Sequence, residues 1–155
     1  MDKQKLYQII DTKSPMLTAL SDKIWEYAEL SMLEYKSVAA YVQILKEEGF
    51  EVVENLCNVP TAFSGTFGSG KPVIGILGEY DALSDLSQAI CGEKKAIVQG
   101  APGHGCGHNL LGVGALGAAI AVKEMIARGE KMGLQVFVPP LKLFTDNAVM
   151  IGAAA

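Results

Sequence analysis

Charge is scarce in this sequence. Only 19% of its 155 residues are Asp, Glu, Lys or Arg, and 13 basic residues face 17 acidic ones. With no basic excess to collect phosphates, a polybasic nucleic-acid binder is excluded. Cysteine is sparse as well: three residues, an odd number with no C-x-x-C spacing, argue against a disulfide scaffold. No charged-then-apolar leader opens the chain at Met1-Asp2-Lys3-Gln4-Lys5, so the expected compartment is the cytoplasm. No internal repeat is visible. The chain is 50% hydrophobic, which argues against disorder and leaves enough apolar surface for one core. Gly100 to Val122 contains no charged residue and would reach across a bilayer in length, but its glycines, two histidines and Asn109 count against insertion. No membrane partner is expected.

Ser14-Pro15 reads as a helix start, followed by Leu17, Leu20, Ile24, Tyr27 and Ser31 at helical spacing. A second helix is predicted from Glu34 to Glu48, with Val38, Tyr41, Val42 and Leu45 inward and Gly49 in the left-handed position that ends it. Phe50 to Val53, Thr61 to Phe67 and Val73 to Leu77 read as strands, the last two joined as a hairpin through Gly68-Ser69-Gly70. Because Val73-Ile74-Gly75-Ile76-Leu77 is apolar throughout, it is expected at the centre of the sheet, covered on both faces. A long loop should then run from Gly78 to Gly107, leaving the carboxyl edge where sites of α/β sheets gather. A helix is predicted from about His108 to Arg128, stopped by Gly129, and a last strand from Leu134 to Val138 before Pro139-Pro140. The fold class expected is α/β, with helices packed on a mixed sheet.

Both histidines lie in one pentapeptide, His104-Gly105-Cys106-Gly107-His108. In extended backbone, residues two apart share a face, so all three side chains could converge on one ion; in a helix only His104 and His108 would align. Cys106 at a helix N-terminus would be favoured as the thiolate that ligates metal. Against this stands a glycine-rich turn with hydrogen-bonded histidines and a small buried cysteine, or a Cys/His nucleophile, although such pairs are normally assembled across a fold. Glu79-Tyr80-Asp81 follows the apolar run and places two carboxylates on one side of an extended segment, able to ligate a metal or orient a histidine. The alternative is a solvated loop start, with Asp81 capping a turn. Cys57 and Cys91 have no ligand-type neighbours in sequence and read as structural.

Asn58-Val59-Pro60-Thr61-Ala62-Phe63, GSGKPVIGILGEYDAL from Gly68 to Leu83, and GHGCGHNLLG from Gly103 to Gly112 together resemble the M20 metallopeptidase/amidohydrolase family, in particular its aminobenzoyl-glutamate-hydrolysing branch. The resemblance spans about residues 5 to 130. It implies that residues 1–130 are the N-terminal part of a zinc-peptidase-like catalytic domain, a partial one, whose complete form hydrolyses amide bonds of N-acyl amino acids or dipeptides with one or two Zn²⁺ or Mn²⁺ ions. The resemblance further implies Cys106 and His108 as metal ligands, Asp81 as the catalytic carboxylate supporting the site, and His104 behind the ligands. Ser84 departs from the proline usual after Asp-Ala-Leu. The family's Glu-Glu pair, which includes its general base, and its further His and carboxylate ligands find no match here, and no third histidine exists in the chain. The chain alone is therefore expected to be inactive.

From Lys131 the sequence departs from that pattern. KMGLQVFVPPLKLFTDNAVMIGAAA resembles the end of the tRNA threonylcarbamoyladenosine-modification family, with a Pro-Pro pair before Thr-Asp-Asn. Asp146 matches that family's metal-binding aspartate, while Phe144 replaces its usual cysteine. Residues 131–155 are thus expected to be a divergent tail, joined to a truncated hydrolase near Gly129 to Met132. Two rival readings remain open: a non-catalytic module or dimer partner that binds a complementary hydrolase chain, and a tRNA-modification remnant, which the acidic balance opposes.

Overall fold

The computed structural model describes residues 3–69 and 73–131. Three helices pack against a small two-strand antiparallel sheet, in keeping with the α/β expectation. Helix α1 spans Lys3–Tyr27, α2 spans Tyr35–Glu47, strands β1 and β2 span Glu51–Glu54 and Phe63–Thr66, and α3 spans His108–Lys131.

The helical stripes behave as their spacing predicts. Leu17, Leu20 and Ile24 of α1 meet Tyr41 and Leu45 of α2 and Val113, Leu116 and Ile120 of α3 in one core. Ile24 and Ile120 are fully buried, at 0% exposure, each contributing about 1.5–3 kcal/mol. Three boundaries differ from expectation. Pro15 lies inside α1 instead of opening it, because the helix runs back to bury Ile9. That burial offsets the backbone bond the proline cannot make. At the other end α3 continues through Gly129 to Lys131. Ser31 falls outside α1, which ends at Tyr27 before Ala28 turns left-handed. Gly49 takes φ +79° after α2, as predicted.

The strands require correction. The hairpin joins β1 to β2, with Glu51 opposite Thr66 and Glu54 opposite Phe63. It does not join residues 61–67 to 73–77. The reversal occurs at Asn55 to Ala62, where Asn55, Cys57 and Asn58 adopt positive φ and hydrogen bonds run from Leu56 N to Ala62 O and from Ala62 N to Val59 O. Val73 to Leu77 forms no strand, and Val73 and Leu77 are 83% and 88% exposed. An apolar run reads as a buried strand only if neighbouring strands satisfy its backbone, and among the described residues none pairs with it. The strand predicted at Leu134 to Val138, and the tail from residue 132, lie outside the described residues.

By length and composition His108–Gly129 would also pass as a membrane span. In the fold its Val113, Leu116 and Ile120 face the core it shares with α1. Gly112 lets α3 come close: a Cβ there would overlap the Tyr41 hydroxyl and lie 2.9 Å from the Glu79 carbonyl oxygen. Neither neighbour can yield without moving α2 or the 78–80 segment. Gly112→Val is expected to cost about 1–3 kcal/mol by overpacking, read as a lower denaturant midpoint.

Glu48, at the end of α2, ties the three helices together. Its carboxylate accepts from Lys13 of α1 and, at 3.0 Å, from Lys123 of α3, which also donates to the Glu48 carbonyl at 2.8 Å. Burial alone would raise the Glu48 carboxyl, but the bonds and charges of both lysines hold it below its ordinary value of 4.5. A lowered carboxyl contributes stability that is complete above that ordinary value and fades as pH falls through the native one. Glu48→Gln is expected to lose about 1–2 kcal/mol at neutral pH, with the deficit shrinking on acidification below 4.5, as urea unfolding across pH would report.

Candidate functional site

Residues 78–83 run against α3, with Gly78 beside Ala115 and Gly112, and carry the acidic motif to the head of that helix. Tyr80 anchors this segment. Its ring lies 5.1 Å from Tyr41 and 5.7 Å from Phe63, and its hydroxyl donates to the Thr61 carbonyl. Burial raises the Tyr80 hydroxyl, helped by the charges of Glu34, Glu29 and Asp81, so the phenol stays a neutral donor. With Tyr80 turned inward, alternation along extended backbone puts Glu79 and Asp81 on the opposite side.

Main-chain bonds fix the next residues. Ala82 N donates to Glu29 O at 2.7 Å, making a parallel bridge between Leu30 and Ala82. Leu83 and Gly103 exchange two bonds of 3.0 Å in an antiparallel bridge. The strip at 82–83 is therefore held on both edges, and the second bridge draws the His104 to His108 turn to the acidic residues. Glu29 also caps α2 from outside, its carboxylate accepting from Lys36 N at 3.0 Å and from Ser37 N and Oγ at 2.8 Å. Neither Glu29 nor Tyr80 stood out in the sequence, since each acts on partners remote in the chain. A carboxylate five residues ahead of a predicted helix start was the available signal for Glu29.

The two histidines receive different surroundings. His108, the first residue of α3, places Nδ1 2.8 Å from Asp81 Oδ1 and 3.2 Å from the Asp81 carbonyl. Both are acceptors, so Nδ1 carries a proton and donates to Asp81. Nε2 faces Glu79 Oε2 at 3.4 Å. His104 turns instead to α1, with Nε2 2.9 Å from the Ile24 carbonyl and its ring 6.4 Å from Trp25. That carbonyl obliges Nε2 to donate, which leaves Nδ1 buried without a partner. Next to His108, Asn109 donates to Ser21 Oγ of α1 at 3.0 Å, and its own Oδ1 is buried and unpartnered.

Asp81 and His108 are thus brought into direct contact, with Glu79 beside them. Cys106 is exposed on the turn before α3. Among the described residues no three His, Cys, Asp or Glu side chains are gathered into a group that could hold an ion. Cys57 and Cys91 are exposed too, Cys91 donating to Glu93 O at 3.3 Å within its own turn.

No protein-family model matches the sequence. Over 128 residues, 79% of its length, the chain is 44% identical to a subunit of the p-aminobenzoyl-glutamate hydrolase of Escherichia coli (strain K12), of which it covers 27%. Over 46 residues, 30% of its length, it is 48% identical to the tRNA N6-adenosine threonylcarbamoyltransferase of Moorella thermoacetica (strain ATCC 39073 / JCM 9320), of which it covers 14%. The chain therefore spans about a quarter of the first relative and less of the second. The similarity to the first supports an amidohydrolase relationship.

His104 titration follows from its burial. Burial lowers its pKa below the ordinary 6.5, outweighing the Ile24 bond, while the charge of His108 lowers it further and that of Asp81 opposes. A depressed histidine favours the native state fully above 6.5 and loses that advantage as pH falls below it, where the unfolded chain binds the proton first. Guanidinium midpoints should therefore drop more steeply between about pH 7.5 and 5.5 for the parent chain than for His104→Gln. His108 is present in both, so the difference isolates His104.

Proposed function

We propose that residues 1–130 form the N-terminal part of an M20-type amidohydrolase catalytic domain, and that residues 131–155 are a divergent segment joined to it. The complete enzyme would hydrolyse amide bonds of small N-acyl amino acids or dipeptides, p-aminobenzoyl-glutamate among them, in the cytoplasm. The observation that carries this reading is the Asp81–His108 hydrogen bond of 2.8 Å, which leaves Nε2 open toward Glu79. A carboxylate that fixes one imidazole nitrogen and frees the other is the usual support of a metal-ligating histidine. The identity to a component of a hydrolase over most of the chain agrees with it.

His108 and Glu79 are donor types that Zn²⁺ or Mn²⁺ takes, and among the described residues no third His, Cys, Asp or Glu side chain is gathered with them, so the set found in this chain falls short of a complete ion site. Cys106 and His108 would be the ligands. Asp81 holds the imidazole and keeps its tautomer. An ion bound there supplies Lewis acidity toward an amide carbonyl. The chain's own contribution is a rigid rim, since His108 is fixed by Asp81 below and by the Asn109–Ser21 bond beside it.

This chain alone should not turn over substrate. It has no histidine besides His104 and His108, and His104 is committed to Ile24. Asp81 is committed to His108 and is not free to act as the base for a proton transfer commonly worth 10²–10⁴-fold. A second reading, a module that binds a complementary hydrolase chain without catalysing anything itself, draws on the exposed apolar run at Val73, Ile76 and Leu77. It also agrees with the relative being named as one component of a hydrolase with more than one kind of chain.

Hydrolysis of p-aminobenzoyl-glutamate by the purified 155-residue chain, with Zn²⁺ or Mn²⁺ added, tests the reading. No turnover is expected from the chain by itself. Activity is expected when the missing part of a related hydrolase is supplied in trans, and it should vanish with His108→Ala. Turnover by the chain alone, abolished by Cys106→Ser or His108→Ala, would overturn the inactive-fragment reading. Activity in trans that survives His108→Ala would favour the non-catalytic module.

A further inference from the structure

The apolar run ahead of the acidic motif is an edge with an open side. Among the described residues no main-chain hydrogen bond joins residues 73–80 to another segment, and no strand pairs with them. The run is nonetheless anchored, because a Cβ at Gly78 would lie 2.9 Å from Ala115 and 3.2 Å from Gly112 of α3. Ile74 and Gly78 are half-buried, while Val73, Gly75 and Leu77 are exposed. Alternation of that kind belongs to an extended segment with one side turned to the fold and the other to solvent. Unpaired edges are normally blunted by charge or proline, and Val73 to Leu77 carries neither.

The run is also complementary to itself. Laid antiparallel on a second copy about a two-fold axis at Gly75, Val73 falls opposite Leu77 and Ile74 opposite Ile76, so every flanking cross-strand pair is apolar. Gly75 meets its own counterpart, and nothing lies within 4 Å of a Cβ built there. Counted outward along the sequence, the same register sets Lys71 opposite Glu79 at both ends, opposite charges closing an apolar centre. Pro72 then falls where the ladder needs no N–H, provided the two Gly75 residues form a hydrogen-bonded pair. Lys71 and Pro72 lie outside the described residues, and the Glu79 side chain is 59% exposed. Moving the axis by one residue in either direction would set Leu77 opposite Lys71 or Val73 opposite Glu79, so charge selects this register.

We propose that Val73 to Leu77 is a dimerisation edge, pairing antiparallel with the same run of a second copy of this chain. The inference goes beyond the amidohydrolase reading and does not depend on it. A five-residue edge buries far less than the about 800 Å² per partner of a stable complex, so the dimer is weak and forms with rising concentration.

Sedimentation equilibrium of the full 155-residue chain between about 1 μM and about 1 mM tests the pairing, and monomer should give way to dimer across that range. Lys71→Glu and Glu79→Lys each set like charges at both ends of the pair, and each should weaken association about fivefold or more. The double variant restores opposite charges and should return close to the parent. Because the two single variants shift net charge in opposite directions, a loss shared by both cannot come from overall repulsion. Far-ultraviolet circular dichroism of all three should match the parent. In hydrogen exchange, the amides of residues 73–77 should gain protection as concentration rises. A chain still monomeric at about 1 mM overturns the proposal and leaves the edge to a different chain, such as the rest of a hydrolase. A dimer that both single variants leave intact, or that the double variant fails to restore, overturns the pairing. Full protection of 73–77 already in the monomer would assign the edge to another segment of the same chain and overturn it as well.

Discussion

The close passage of α3 over the 78–81 segment at Gly112 is the constraint from which the rest of the site follows. Any side chain at that position would meet the Tyr41 hydroxyl and the Glu79 carbonyl oxygen, so the absence of one sets how near the helix can lie. The same passage brings a Cβ at Gly78 to 2.9 Å from Ala115, while two residues beyond Glu79 the Asp81 carboxylate meets His108. The segment and the helix therefore run in opposite directions past one another, and their register is locked at three successive points. Moving α3 outward by a methyl group would disturb the hydrogen bond that orients His108.

Two other devices hold that register. Tyr80 is the inward peg of the acidic motif, packed against Tyr41 and Phe63, and by pointing in it compels its neighbours to point out. His104 is the strut of the turn. Its donation to Ile24, together with the Asn109–Ser21 bond, pins the beginning of α3 to the last turns of α1. Buried acceptors with no partner, as at His104 Nδ1 and Asn109 Oδ1, cost about 1–3 kcal/mol each. The turn carries that cost where it must hold its shape, which is where strain and unsatisfied groups concentrate in functional sites.

The helices were legible in the sequence because a buried stripe at 3.6 spacing needs only one neighbouring surface to be realised. Val38, Tyr41, Val42 and Leu45 all turn inward as read, and Gly49 ends α2 in the left-handed conformation. The strands were less legible, since a strand requires partners for its backbone as well as cover for its side chains. Val73 to Leu77 has the composition of a central strand and no ladder among the described residues, and its Val73, Ile76 and Leu77 side chains are exposed. The β1–β2 hairpin closes through left-handed Asn55, Cys57 and Asn58, positions where only the asparagines carry a composition signal.

By itself the sequence determined which chemistry is available: two histidines and a cysteine in one pentapeptide, two carboxylates flanking a tyrosine, and glycines where a helix must pass closely. Tertiary structure decided how those groups divide their roles. His104 and His108 are the same residue four positions apart, and nothing local distinguishes them. An imidazole's role is set by what its other nitrogen touches, and those partners come from remote parts of the chain. The Ile24 carbonyl makes His104 a structural donor, while the Asp81 carboxylate engages Nδ1 of His108 and turns Nε2 toward Glu79. Glu79 and Asp81 are separated in the same way, because they flank one ring on opposite sides and only the placement of that ring tells them apart.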